Sequence, residues 1–124
     1  MVAFVFSLAL SSSSFAQKIS RISFAKGAIS AIVTGNLNGY RQTKTYRIRV
    51  RAGQTLSTEQ VGDPHDITIF IQGPKGEDIG DSDASCNNRR EVTPTVAGDY
   101  TISVVQCRKA DAWKGQFKFR VTVK

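Results

Sequence analysis

Between Thr45 and Ala52 the chain alternates without a break: Tyr46, Ile48 and Val50 are apolar, and Arg47, Arg49 and Arg51 stand between and after them. Successive side chains of a strand point to opposite faces, so this register demands a strand with one face in a core and one in water. A helix would scatter the same residues around its circumference. Gln116 to Lys124 repeats the device, with Phe117, Phe119, Val121 and Val123 inward and Lys118, Arg120, Thr122 and Lys124 outward. Asp66 to Gln72 sets Ile67, Ile69 and Ile71 against Thr68, Phe70 and Gln72, and Asp99 to Cys107 puts Tyr100, Ile102 and Val104 on one side. Shorter strand segments are Lys18 to Ala25, Ala28 to Leu37, Gln54 to Val61 and Arg89 to Thr95. Turn chemistry separates them at Lys26-Gly27, Asn38-Gly39, Ala52-Gly53, Gly62-Asp63-Pro64, Gly73-Pro74-Lys75-Gly76 and Ala97-Gly98-Asp99. About eight short strands at this spacing predict an all-β chain built as an antiparallel two-sheet β-sandwich, with a small barrel as the alternative.

The first sixteen residues carry no charge and join an apolar run, Val2 to Leu10, to a serine tract and the small-x-small ending Ser14-Phe15-Ala16. Residues 1–16 therefore read as a secretory signal peptide cleaved before Gln17, followed by one domain over residues 17–124. The run falls short of the roughly 20 apolar residues a transmembrane helix needs, and four serines suit a processing region better than a core strand. A basic n-region is missing, since Val2 follows Met1 and the first lysine is Lys18. That points to a start a few residues upstream.

Every charged residue follows Gln17, so the net charge of +7 belongs to the exported part. Such a balance favours anionic partners, whether nucleic acid, lipid headgroups or an acidic protein cleft, and it also serves solubility. Cys86 and Cys107, an even count in an exported chain, are expected to pair. Their bond would close a loop of about 20 residues and stabilise by about 3 kcal/mol on the chain-entropy model.

Catalytic constellations are thin. A Ser-His-acid triad has only His65 to draw on, in a turn after Asp63-Pro64, and no G-x-S-x-G elbow exists; His65 reads as a solvated loop residue. One histidine and no C-x-x-C pair leave a zinc site short of ligands, and a catalytic thiol needs a histidine beside it. Glu77, Asp78, Asp81 and Asp83 crowd one glycine-containing loop with no apolar neighbourhood to raise a pKa, so they read as solvated turn residues. Their spacing is not that of a D-x-D-x-D-G calcium loop. The arginine stripe 47/49/51 spaces charges at roughly 6.6 to 6.8 Å. It has no interleaved aromatic residues on its face, so base stacking has no support, and the expected reading is the polar outside of an exposed or edge strand.

Function on sandwiches sits on loops. The segment Arg108 to Gly115 holds the single tryptophan, Trp113, with Arg108, Lys109, Lys114 and Asp111, the residue types of a binding hot spot; Trp113 capping one end of the core is the competing reading. Tyr40 and Arg41, just past Asn38-Gly39, have the same character: a rigid amphipathic ring suited to entering a cleft beside a carboxylate-pairing cation, or a tyrosine closing the sandwich edge.

The segments "SFAKGAISAIVTGNLNGY", "YRIRVRAGQTL", "AGDYTISVVQCRKADAW" and the closing "FKFRVTVK" resemble, in this order over almost all of Ile22 to Lys124, the periplasmic inhibitors of g-type lysozyme and their bacterial relatives. The resemblance implies an antiparallel sandwich in the periplasm that is not an enzyme, needs no cofactor, and serves bacterial defence by inserting loops into the cleft of a lysozyme. Carried over, the family's G-Y loop matches Gly39-Tyr40, its Ser-Gly pair matches Thr34-Gly35, and the arginine ending the penultimate strand matches Arg108. A second arginine four residues later falls on Ala112 here, with Trp113 and Lys114 following. The expected lysozyme-binding residues are thus Thr34, Gly35, Gly39, Tyr40, Arg41, Arg108, Lys109, Asp111 and Trp113. Tyr40, Thr34 and Arg108 would approach the catalytic carboxylate, with Arg41 and Lys109 as electrostatic helpers. A weaker similarity, through A-G-Q and G-D-Y-T turns, is to β-sandwich domains appended to secreted peptidases. Charge alone supports a different function, a basic module that binds an anionic envelope polymer or nucleic acid.

Overall fold

The computed structural model describes residues 18–62, 65–80 and 86–124; the expected signal peptide, and with it Asp81 and Asp83, lies outside the described residues. Nine strands run β1 (Ile19–Arg21), β2 (Ser30–Asn38), β3 (Lys44–Val50), β4 (Leu56–Gln60), β5 (Ile67–Gln72), β6 (Asp78–Ile79), β7 (Arg89–Val92), β8 (Gly98–Gln106) and β9 (Lys114–Val123). They form two sheets, β1-β3-β8-β5-β6 and β2-β9-β4-β7, and neither closes into a barrel. All pairings are antiparallel except β1 with β3. The parallel pair follows from the connectivity: the chain leaves β1 for the opposite sheet, forms β2 there, and returns beside β1 as β3.

The alternating segments behave as their period requires. Tyr46, Ile48 and Val50 of β3, Ile102 and Val104 of β8, and Phe117, Phe119 and Val121 of β9 are buried between the sheets, while Arg47, Arg49, Lys118 and Arg120 are exposed. Tyr46 meets Phe119 edge-on across the gap, ring centroids 5.5 Å apart. One glycine is dictated by this packing. Gly35 of β2 lies in register with Phe117, and a Cβ built on it would stand 2.5 Å from Phe117 Cζ and 2.6 Å from the Tyr46 hydroxyl. A side chain there has no room.

Three expectations need correction. A ninth strand, β6, forms inside the acidic loop, where Gln72 donates to Asp78 at 3.1 Å and Glu77 accepts the Lys75 N–H at 2.9 Å. Lys18 to Ala25 yields only three strand residues: the Ile22 N–H still reaches the Arg47 carbonyl at 2.8 Å, after which the chain turns away through Lys26-Gly27. And the arginine stripe of β3, exposed as expected, is only partly on an edge: β1 flanks it as far as Arg47, with which Arg21 stands in register, so the outer face carries a patch rather than a row.

Candidate functional site

At one end of the sandwich the β2–β3 turn and the β8–β9 loop meet. Gly39 turns the chain after β2 with φ 82°, a conformation open to glycine because it has no Cβ. Its N–H reaches the Trp113 carbonyl at 3.0 Å, the Gln42 N–H returns to the Gly39 carbonyl at 3.4 Å, and the Gln42 side chain caps the Asn38 N–H at 2.6 Å. Tyr40, half-buried, lays its ring toward the other loop and donates its hydroxyl to the Ala110 carbonyl. The tyrosine is a brace between two loops rather than a free key. Arg41, Arg108, Lys109 and Asp111 are exposed around it.

The β8–β9 loop is held at its base by groups whose roles the sequence did not announce. Gln106 occupies the next inward position after Tyr100, Ile102 and Val104 and is 1% exposed. It donates to the Trp113 carbonyl and accepts the Trp113 N–H at 3.0 Å, substituting for a backbone pair across the loop. The Cys107 N–H reaches the Asp66 carbonyl at 3.1 Å, and Cys107 is bonded to Cys86, as expected from the pairing rule. Trp113 packs against the core and stacks on His65 with ring centroids 4.7 Å apart and planes 12° from parallel. His65 is therefore half-buried and stacked, not the solvated loop residue expected. The backbone around it is fixed by Gln60, which donates to the His65 carbonyl at 2.6 Å and accepts the Ile67 N–H at 3.2 Å and the Asn88 side chain at 3.3 Å. The signal that could have found Gln106 is a polar residue on the inward phase of an apolar alternation; nothing in the sequence marks the His65–Trp113 stack, which depends on two loops far apart in the chain.

The structure thus gathers Gly39, Tyr40, Lys109, Asp111 and Trp113 into one tip, with Arg41 and Arg108 on the same two loops. It does not gather Thr34 and Gly35. These lie in mid-strand, in register with Lys118 and Phe117, and Thr34 is four residues short of the end of β2, roughly 13 Å by the rise of a strand. Elsewhere, on the outer face of the larger sheet, Arg21 and Asp99 pair through two hydrogen bonds of 3.1 Å. That bond, then the charges of Arg21, Arg49 and Arg47, hold the Asp99 carboxyl below the usual carboxylate range, against a desolvation that pushes it up. Among the described residues no cluster of three or more His, Cys, Asp or Glu side chains is arranged to hold a metal.

Solved structures similar to this one are of periplasmic inhibitors of g-type lysozyme. PliG of Aeromonas hydrophila superposes with a TM-score of 0.66 at 27% identity, over 86% of this chain and 96% of that one. PliG of Salmonella Typhimurium gives 0.66 at 22% identity, over 86% and 98%, and a mutant PliG of Escherichia coli gives 0.62 at 21%, over 88% and 100%. The pre-peptidase C-terminal domain of a Bacillus anthracis collagenase shares the fold alone, with a TM-score of 0.53 at 18% identity over 87% and 96%. No family model matches the sequence, and no curated protein matches it. The resemblance read from the sequence is met in three dimensions, and the similar proteins are inhibitors rather than enzymes.

Proposed function

We propose that the protein is a periplasmic inhibitor of a g-type lysozyme and that it acts by laying the Tyr40–Trp113 tip across the enzyme's saccharide cleft. The observation that carries this reading is the fold shared with PliG inhibitors across nearly their whole length. The tip adds a physical rationale. Two loops cross-tied by the Tyr40 bond to Ala110 and the Gly39 bond to Trp113 lose little freedom when a partner closes on them, which leaves more of the contact energy for affinity. Arg41, Arg108 and Lys109 surround this ordered centre with cations, suited to the carboxylates on which glycoside cleavage depends. Inhibition is steric and electrostatic, and no bond is made or broken. Thr34 flanks the surface at most, and Gly35 serves it through packing.

The test is a lysis assay with purified g-type lysozyme. Replacing both Tyr40 and Arg108 with Ala should weaken inhibition by about 30-fold or more, the loss of one hot spot or better. Unchanged inhibition would remove the tip from the proposal and leave the fold-based reading standing.

One observation favours a second reading, a basic module for an anionic polymer: Arg21, Arg47 and Arg49 surround a single Asp99 on the outer face. It predicts polymer binding that falls steeply with salt and ignores substitutions at Tyr40.

A further inference from the structure

The small sheet ends at β2, and that edge lacks the usual safeguards. Edge strands are commonly blunted by charge, proline, a bulge or brevity. β2 has nine residues, Ser-Ala-Ile-Val-Thr-Gly-Asn-Leu-Asn, none charged and none proline, and its register with β9 runs from Ser30–Thr122 to Asn38–Lys114 without a bulge. Which backbone groups face outward follows from two bonds. The Val123 N–H reaches the Ile29 carbonyl at 2.8 Å, and the Gly39 N–H reaches the Trp113 carbonyl at 3.0 Å. In an antiparallel ladder bonded and non-bonded pairs alternate, so the odd-numbered residues from Ile29 to Gly39 serve β9. Ser30, Ile32, Thr34 and Asn36 then turn their N–H and C=O groups away from the sheet. Among the described strands β2 pairs with β9 alone.

Beside this edge an open groove of about 560 Å³ separates β2 from β1 and β3. Lys18, Arg21 and Lys44 line it and no acidic residue does; Arg21 is already paired with Asp99, which leaves the two lysines for a partner. Tyr46 is 7% exposed and its hydroxyl lines the same groove next to Gly35; it bonds to no described residue. A glycine therefore keeps a buried phenol open to whatever enters. Outward donors and acceptors, two lysines with no acid beside them in the groove and an unused hydroxyl together describe a receptor for a chain that is extended and negatively charged.

From this we infer that the free edge of β2 accepts an extended acidic polypeptide segment as an added strand, distinct from the lysozyme-binding tip. The added strand exchanges main-chain hydrogen bonds with Ser30 to Asn36 and turns its carboxylates toward Lys18 and Lys44. A span from Ser30 to Asn36 is matched by about seven residues. A second copy of this chain is a poorer occupant, because its own β2 brings no carboxylate and its net charge of +7 repels.

The probe is a fluorescein-labelled octapeptide of alternating Glu and Val, followed by anisotropy with the full exported chain. Two control peptides accompany it: alternating Lys and Val, and the Glu/Val peptide with every second backbone nitrogen methylated. The expected result is saturable binding of the parent and binding at least about tenfold weaker for both controls, since one loses the charge match and the other the strand pairing. Ile32→Pro removes an outward N–H and leaves the β9 ladder its bonds; it should cost the parent peptide about tenfold and leave lysozyme inhibition unchanged. The inference is overturned if the parent does not bind, if methylation leaves affinity unchanged, or if sedimentation shows the chain pairing with itself through this edge. None of those outcomes bears on the inhibitor reading, whose tip lies elsewhere.

Discussion

Gln106 grips the Trp113 backbone from both sides, its amide nitrogen on the Trp113 carbonyl and its amide oxygen on the Trp113 N–H. One buried side chain thereby sets the geometry of the loop that carries most of the proposed contact surface. Gln106→Leu keeps the volume but strips both bonds, leaving the Trp113 N–H unanswered and its carbonyl with the Gly39 N–H alone. It should destabilise the fold by about 2 to 3 kcal/mol, read by urea denaturation, and should weaken lysozyme inhibition further than the loss of stability explains.

Gly35 gives the complementary test. Gly35→Ala drives a methyl group into Phe117 and the Tyr46 hydroxyl, and overpacking of that kind costs about 1 to 3 kcal/mol. If the clash with Phe117 is the cause, Phe117→Leu should offset part of the loss, so that the double variant is more stable than the sum of the single changes predicts.

The bond between Cys86 and Cys107 joins residues 21 apart and fixes the start of the β8–β9 loop. Changing both to Ser should lower stability by about 3 kcal/mol on the loop-entropy model, measured as a shift in thermal midpoint. Far-ultraviolet circular dichroism below the new midpoint should stay that of a β protein, because the core of β3, β8 and β9 does not depend on the bond.

Asp99 carries a pH signature. Its carboxyl lies below the ordinary value through Arg21 first and Arg49 and Arg47 after it. A depressed carboxyl contributes stability above its unfolded pKa, and that contribution is lost as pH falls through the folded value. An NMR titration should place Asp99 below a model aspartate, and Arg21→Ala should raise it most of the way back. A titration curve unchanged by Arg21→Ala would refute the pairing.

The sandwich was legible because alternation is a local property: each of Tyr46, Ile48, Val50, Phe117 and Phe119 declares its face by its neighbours. The disulfide was legible from an even cysteine count. The tip was legible only in part. Tyr40 and Trp113 stood out by residue type, but their meeting through Ala110 and Gly39 is a product of topology. The same holds for His65, whose stacking partner is 48 residues away in sequence by the numbers of the two residues. Gly35 looked like half of a binding motif; that it is also a packing requirement could not be read, because only the register with Phe117 reveals the missing space.

Inhibition itself is checked by titrating g-type lysozyme with the purified protein and following the clearing of a cell-wall suspension. Lysis should fall with added protein to a low plateau, and tip variants should reach it only at higher concentration. Lysis that proceeds at the uninhibited rate with the protein in large excess would contradict the inhibitor reading.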